Sequence, residues 1–212
     1  MDLSDQRMPY EAERIDFDSL PDDPIIQFAT WFGEAQASAE PEAYAMVVST
    51  VDADGWPTGR TVLLRQFDKD GFVFYTNYES AKGQALDATG RAGLTFYWAS
   101  QHRQIHVSGE VSRLREEESD AYFAKRPRES QLGAWASDQS AELSGREELE
   151  ERLEEVTALF EGRDVDRPGF WGGYRVVPRW IEFWQGQPNR LHDRIRYIAE
   201  PSGNWRRAIL NP

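Results

Sequence analysis

The sequence predicts a mainly β protein with peripheral helices (α+β), its antiparallel strands forming a barrel or a sandwich. Three observations predict it. The runs "AYAMVVSTVD", "GRTVLLRQFD" and "GFVFYTNY" are rich in β-branched and aromatic residues. The segments "ADGWPT" and "KDG" between them carry turn chemistry. The strands follow one another as a meander and do not alternate with helices, which favours a barrel or sandwich over a doubly wound sheet.

Taken in order, residues 1–20 read as an N-terminal arm without a core of its own, and residues 21–212 as one domain. "DDPIIQFATWFGEAQA" reads as a helix, with Asp23 as N-cap and Pro24 in the first turn. Helical spacing places Ile25, Phe28, Ala29 and Phe32 on its buried side. After the first three strands comes a short helix, "SAKGQALDA", and then the strands "AGLTFYWA" and "RQIHVSGEVSRL". The middle of the chain turns helical, with "EEESDAYFAKR" and "ESQLGAWAS" as short helices. A longer helix starts at "SGREELEERLEEVTALFEG", where Ser144 and Glu147 have the spacing of a capping box. Leu149, Leu153, Val156 and Phe160 form its apolar stripe. The chain returns to strands at "YRVVPRWIEFW", "RLHDRIRY" and "NWRRAIL", and no internal repeat interrupts it.

Composition narrows the function classes. The net charge of −13 argues against general nucleic-acid binding, which rewards a basic surface. With no cysteine there is no disulfide, thiol nucleophile or thiolate metal site, which suits the cytoplasm. No apolar run approaches the ~20 residues that cross a bilayer, and the acidic start is no secretory signal. His102 and His106 are four apart at the strand "RQIHVSGEVSRL", where that spacing sets them about 13 Å apart, so no metal is expected there.

Against this acidic background, four cationic clusters punctuate the chain. Arg60 and Arg65 in "GRTVLLRQ" are an odd number of residues apart, so strand alternation puts them on opposite faces. Lys82 follows Ser80 at a helix start, where backbone N–H groups favour an anion. "KRPRES" offers Arg126, Arg128 and Ser130 ahead of a helix. Read as a strand, "RLHDRIRY" lines one face with Arg190, His192, Arg194 and Arg196. Such a face is either a solvated edge that deters aggregation or a site for an anionic ligand. Arginine grips phosphate through paired hydrogen bonds, and Tyr75, Trp98, Tyr122 and Trp184 beside these charges are either core or the walls of a flat ring site. No dinucleotide fingerprint, phosphate loop or nucleophile elbow is present. The residues alone reach a β-barrel for one or two phosphorylated, aromatic ligands.

The phrases "RTVLLR", "FYTNYESAK", "YFAKRPRESQLGAWAS", "FWGGYRV" and "IEFWQGQPNRLHDRIRY" together resemble the pyridoxine (pyridoxamine) 5′-phosphate oxidase family. The likeness runs from the arm to the terminal "NP" with the motifs in family order. It implies an antiparallel FMN-binding split β-barrel and a homodimer with its active sites at the interface. The implied enzyme oxidises pyridoxamine or pyridoxine 5′-phosphate with O₂ to pyridoxal 5′-phosphate, releasing H₂O₂. Hydride passes from C4′ to flavin N5.

By the same resemblance, Arg60, Thr61, Val62, Leu63, Leu64 and Arg65 match the strand that contacts FMN. Tyr75, Thr76, Lys82, Gln104, Gln139, Ser140, Trp184 and Arg194 match further FMN positions. Arg65, Tyr122, Arg126 and Ser130 match the substrate-phosphate site. Arg190 and His192 match the catalytic pair over the flavin, and Arg7 and Tyr10 an arm that closes the site. Two positions depart from the family pattern: Arg65 stands where lysine is usual, and Ala81 where a second base often precedes Lys82. Two other readings stay open, a flavin oxidase of a phenazine-type pathway and a non-enzymatic flavin-binding protein.

Overall fold

The computed structural model describes residues 1–5, 10 and 12–212. Five helices, α1 (Pro24–Ala37), α2 (Ala81–Thr89), α3 (Glu116–Phe123), α4 (Arg128–Ala136) and α5 (Arg146–Leu159), surround one curled sheet. Its antiparallel strands are β1 (Ala45–Val51), β2 (Pro57–Leu63), β3 (Gln66–Asp68), β4 (Gly71–Asn77), β5 (Arg91–Trp98), β6 (Arg103–Arg113), β7 (Trp171–Gln185), β8 (Asp193–Ala199) and β9 (Trp205–Ile209). The order is β2-β1-β5-β6-β7-β4-β3, with β8 added to β7 and β9 to β8. The predicted mainly β architecture with peripheral helices is the one found.

The long strand β7 organises the sheet. It pairs with β6 along most of its length, with β4 through its first half and with β8 through its second. Pro178 interrupts β7 in sequence, and it sits where the β6–β7 register shifts between Ser108 and Gly109. A bulge tolerates proline because no ladder N–H is required there. The β3–β4 turn depends on Gly71, whose φ is +121° and whose added Cβ would fall 2.1 Å from the Val176 carbonyl oxygen. Gly71→Ala is therefore expected to destabilise the fold by about 3 kcal/mol. In a thermal melt this is a fall in Tm of roughly 6–12 °C; an unchanged Tm would contradict it.

Asp23 caps α1 as expected, its side chain accepting from the Ile25 N–H at 2.8 Å. The helix is rotated from its predicted face. Gln27, Phe28, Trp31 and Ala35 are buried, Ile25 and Phe32 are half-buried, and Ala29 is exposed. The Trp31 ring, edge-on to Phe183 at 5.3 Å, takes the inward position and turns Ala29 out. Phe28 meets Phe67, Phe72 and Phe96 at 4.8–5.2 Å, and burying such a ring stabilises the fold by about 2–3 kcal/mol. Ile15, Phe17 and Leu20, from the predicted arm, pack against this same core.

Two further expectations are corrected. "GRTVLLRQFD" is two strands, not one, because the chain changes partner between them: Leu64 N–H donates to the Tyr44 carbonyl and Arg65 N–H to that of Val73. In α5, Ser144 bonds Glu148 at 2.8 Å through its hydroxyl, with Gly145 at the cap, so the Ser144–Glu147 box does not form. On its expected stripe, Leu149 and Val156 are half-buried and Leu153 is 39% exposed. Phe160, just past the helix end, is the stripe residue buried in the second core cluster, with Phe123, Leu132, Val165 and Trp171, and Val156 packs against that cluster. This smaller core fixes α3 and α4 against the start of β7. No helix among the described residues is long and apolar enough to cross a membrane.

Candidate active site

A cavity of about 350 Å³ opens between β2, β4, α2 and the α3–α4 segment. Arg60, Thr61, Val62, Leu63, Arg65, Tyr75, Thr76, Lys82, Tyr122, Arg126 and Gln139 line it, all residues singled out in the sequence, together with Trp171, which was not. Arg60 and Arg65 share this cavity despite their odd spacing. Alternation holds only within one ladder, and the change of partner at Leu64 resets it. Leu64 itself turns into the core at 5% exposure.

The four cations of the cavity form two poles. At the first, Ser80 caps α2 by accepting the Gly83 N–H, and this turn buries Lys82 to 8% exposure. Lys82 Nζ donates to Gln139 Oε1 at 2.7 Å and Thr76 Oγ1 at 3.1 Å, both neutral acceptors. Burial, and then the Arg60 charge, bring its pKa down to about 8. Arg60 Nη1 rests on Thr50 Oγ1 at 2.7 Å and the Thr58 carbonyl at 3.0 Å, and burial lowers its pKa as well. At the second pole, Arg126 lies beside Arg65, and its pKa is lowered by burial and further by that neighbour. Arg126 Nη1 is buried without a hydrogen-bond partner. Nearby, Tyr75 and Tyr122 stack at 3.8 Å, and burial pushes the Tyr75 pKa up to about 12.

Among the described residues, no carboxylate lines this cavity and none of the four cations forms an ion pair. Lys82 is buried, Arg60 and Arg126 are half-buried and Arg65 is exposed; buried positive charge without a counter-charge is costly, and an anionic ligand relieves it. Ser130 lies in an adjoining hollow that shares Arg126, Gln139 and Trp171. Ser140 lines another with Ala81, Asp138 and Gln139. Arg128 is occupied by the Phe160 and Arg163 carbonyls, and Trp98 is core, its indole N–H donating to the Ala43 carbonyl.

The remaining expected residues gather at the other end of β7. Trp184 pairs with Gln104 on β6 and with Arg194 on β8. Its ring lies 4.7 Å from His192 and 5.9 Å from Tyr10, which also meets His192 at 5.7 Å. Arg7 lies outside the described residues. The extended reading of "RLHDRIRY" fails in its first half. Pro188–Arg190 is a 3-10 turn in which Asn189 and Arg190 have φ of 58° and 62°, and β8 begins only at Asp193. Arg190 and His192 therefore do not share a strand face with Arg194 and Arg196. His192 Nδ1 accepts the Gln187 N–H at 3.0 Å, and burial with the Arg190 and Arg194 charges lowers its pKa. Because Nδ1 accepts, a neutral ring carries its proton on Nε2.

Arg194 and Arg196 converge instead on Glu182, 3% exposed, which takes Arg194 on Oε1 at 2.7 Å and Arg196 on Oε2 at 2.8 Å. Arg196 also lies over Trp180 at 4.5 Å, so it is no free surface charge. Glu182 was missed, although an acid inside the apolar run "RWIEFW" is a readable signal for a buried partner.

The curled antiparallel sheet and its cation-lined cavity point to the class, the split-barrel fold of FMN-binding proteins. Known proteins agree. The family description "Pyridoxamine 5′-phosphate oxidase" matches residues 32–160, and "Pyridoxine 5′-phosphate oxidase C-terminal dimerisation region" matches residues 171–212. The chain belongs to the pyridoxamine 5′-phosphate oxidase family. It is 54% identical over its whole length to the pyridoxine/pyridoxamine 5′-phosphate oxidase of Rubrobacter xylanophilus, covering 97% of that protein. With that of Microcystis aeruginosa it shares 48% identity over the full length of both. Among solved structures, PhzG from Burkholderia lata 383, in complex with tetrahydrophenazine-1-carboxylic acid, superposes with a TM-score of 0.88 at 32% identity, over 97% of this chain and all of that one.

Proposed function

We propose that this protein is an FMN-dependent oxidase that converts pyridoxamine 5′-phosphate, pyridoxine 5′-phosphate or both to pyridoxal 5′-phosphate in the cytoplasm. The observation that carries the proposal is the pairing of the cavity's cations into two poles with no carboxylate between them, which suits two phosphate groups. Arg60 and Lys82, with Thr76 and Gln139, would hold the FMN phosphate. Arg65, Arg126, Tyr122 and Ser130 would hold the substrate phosphate. FMN, when bound, would supply the two-electron oxidation of the substrate by hydride transfer from C4′, with O₂ as final acceptor and H₂O₂ as its product. Water then hydrolyses the substrate imine to aldehyde and ammonia; the alcohol substrate gives the aldehyde directly.

The chain's own catalytic pair would be Arg190, orienting the pyridine ring, and neutral His192, donating from Nε2. These two lie far from the cavity along their own chain. Tyr75 is opposite Gly173 and Gln104 is opposite Trp184, and the stretch of β7 between Gly173 and Trp184 is about 35 Å of extended chain. A homodimer resolves this, because a two-fold axis can bring the cavity of one copy to the turn of the other. The matched dimerisation region, residues 171–212, contains that turn. We read residues 21–212 as the working domain and residues 1–20 as an arm, with Tyr10 closing on His192.

The likeness to PhzG favours a second reading, oxidation of a reduced phenazine carboxylate. Such a ligand carries no phosphate and leaves the Arg65–Arg126 pole unexplained. Anaerobic mixing with pyridoxamine 5′-phosphate separates the readings. The yellow holoprotein is expected to bleach, and admission of air to restore the colour and yield aldehyde. Bleaching only by the reduced phenazine acid would favour the second reading, and no bleaching by either would leave a flavin-binding protein without this activity.

A further inference from the structure

Arg126 is the one cation of the cavity whose guanidinium has a buried N–H group and no side-chain hydrogen bond among the described residues. Aromatic rings surround it instead: its Cζ lies 4.5 Å over the Trp171 ring and 5.5 Å over Phe123. Trp171 is well placed to act as a fixed plate. It is the first residue of β7, paired with Asn77, and is 7% exposed in the second core cluster. Its plane lies within 13° of Tyr75 and 7° of Tyr122, so the wall of the cavity sets its tilt.

Taking up the function proposed above, we propose that Trp171 is a positioning residue for the substrate phosphate, and acts by setting the direction of the Arg126 fork. The physical reason lies in what holds an arginine without weakening it. A carboxylate would orient the guanidinium, but it would consume N–H donors and cancel the charge that the phosphate needs. An aromatic face attracts the cation and leaves the donors free. A planar fork delivers two parallel hydrogen bonds only if its plane is set beforehand, so losing the plate weakens phosphate capture even with Arg126 intact.

The test is a double-mutant cycle on the holoenzyme, with Trp171→Leu, Trp171→Phe and Arg126→Ala, measuring KM and kcat for pyridoxamine 5′-phosphate, FMN content, and binding of pyridoxal 5′-phosphate. Trp171→Leu is expected to raise KM about 10-fold with kcat and FMN content nearly unchanged, and Trp171→Phe to recover most of the loss. In the Arg126→Ala background, Trp171→Leu is expected to change KM less than about two-fold, since the plate then has nothing to orient. An equal loss with and without Arg126, an unchanged KM, or joint loss of FMN would overturn the proposal and leave Trp171 a core residue. Should Trp171→Leu not fold, Trp171→Phe runs the same cycle, with a smaller rise in KM that vanishes beside Arg126→Ala. If the wild type binds pyridoxal 5′-phosphate without oxidising the amine, the proposed reaction falls, and the same cycle on binding decides Trp171. If it does neither, both fall.

Discussion

Lys82→Met is expected to purify colourless. Lys82 is buried, is held by neutral acceptors, and faces a cavity that no carboxylate among the described residues lines, so under the proposed function its charge would serve a bound anion. Removing one charged partner of a buried pair costs about 2–4 kcal/mol, a loss in FMN affinity of roughly 30- to 1000-fold. Quenching of FMN fluorescence on titration with flavin-stripped protein measures it, and wild-type affinity in the variant would sink the assignment. Stripped protein also shows the converse effect. The Lys82 pKa is about 8 when folded, against 10.5 for an unperturbed lysine. Between those values the unfolded chain binds more protons at this site, so the penalty on the fold is complete below pH 8 and fades as pH rises toward 10.5. Flavin-free Lys82→Met is therefore expected to melt above flavin-free wild type at pH 7, with the gap closing by pH 10. Parallel Tm curves would contradict the buried-charge account.

Arg190→Ala is expected to keep its yellow colour and lose roughly 100- to 1000-fold in kcat/KM for pyridoxamine 5′-phosphate, as befits a charged contact to the reacting substrate. Arg190 sits in the turn before β8 at φ 62°, at the far end of β7 from the cavity cations. Loss of flavin with normal kinetics in the remaining holoenzyme would move Arg190 to the cofactor side. Mixing this variant with Lys82→Met, with subunit exchange, tests the shared site directly. If cavity and turn come from different subunits, each mixed dimer contains one intact site, and a statistical mixture recovers about a quarter of wild-type activity. If each site is built within one chain, every site keeps a lesion and no activity returns.

Much of the local structure was legible in the residues. Asp23 and Ser80 cap the helices they precede because a short polar side chain can reach the free N–H groups of a first turn. The cations that matter were also visible, since "GRTVLLR", "SAK" and "KRPR" place charge inside apolar strand and helix sequence. What misled was periodicity carried past its ladder. Arg60 and Arg65 were assigned to opposite faces, and Arg190 was grouped with Arg194. In both places the backbone leaves one pairing, at Leu64 and after Gln185, and the count of two starts again. The inward turn of Trp31, the Glu182 clamp and the Trp171 plate each depend on a partner distant in sequence.

Neighbours along the chain thus dictate most strands and helices, the caps at Asp23 and Ser80, the absence of thiol chemistry and the supply of cations, but not the Ser144 cap or the Pro188–Arg190 turn. The tertiary structure alone decided which charges meet. It gathered Arg60, Arg65, Lys82 and Arg126 around one cavity, tied Arg194 and Arg196 to Glu182, and held the Arg190 turn at the opposite end of β7. Those distances are set by strand register and by packing between remote segments, which no local pattern of residues encodes.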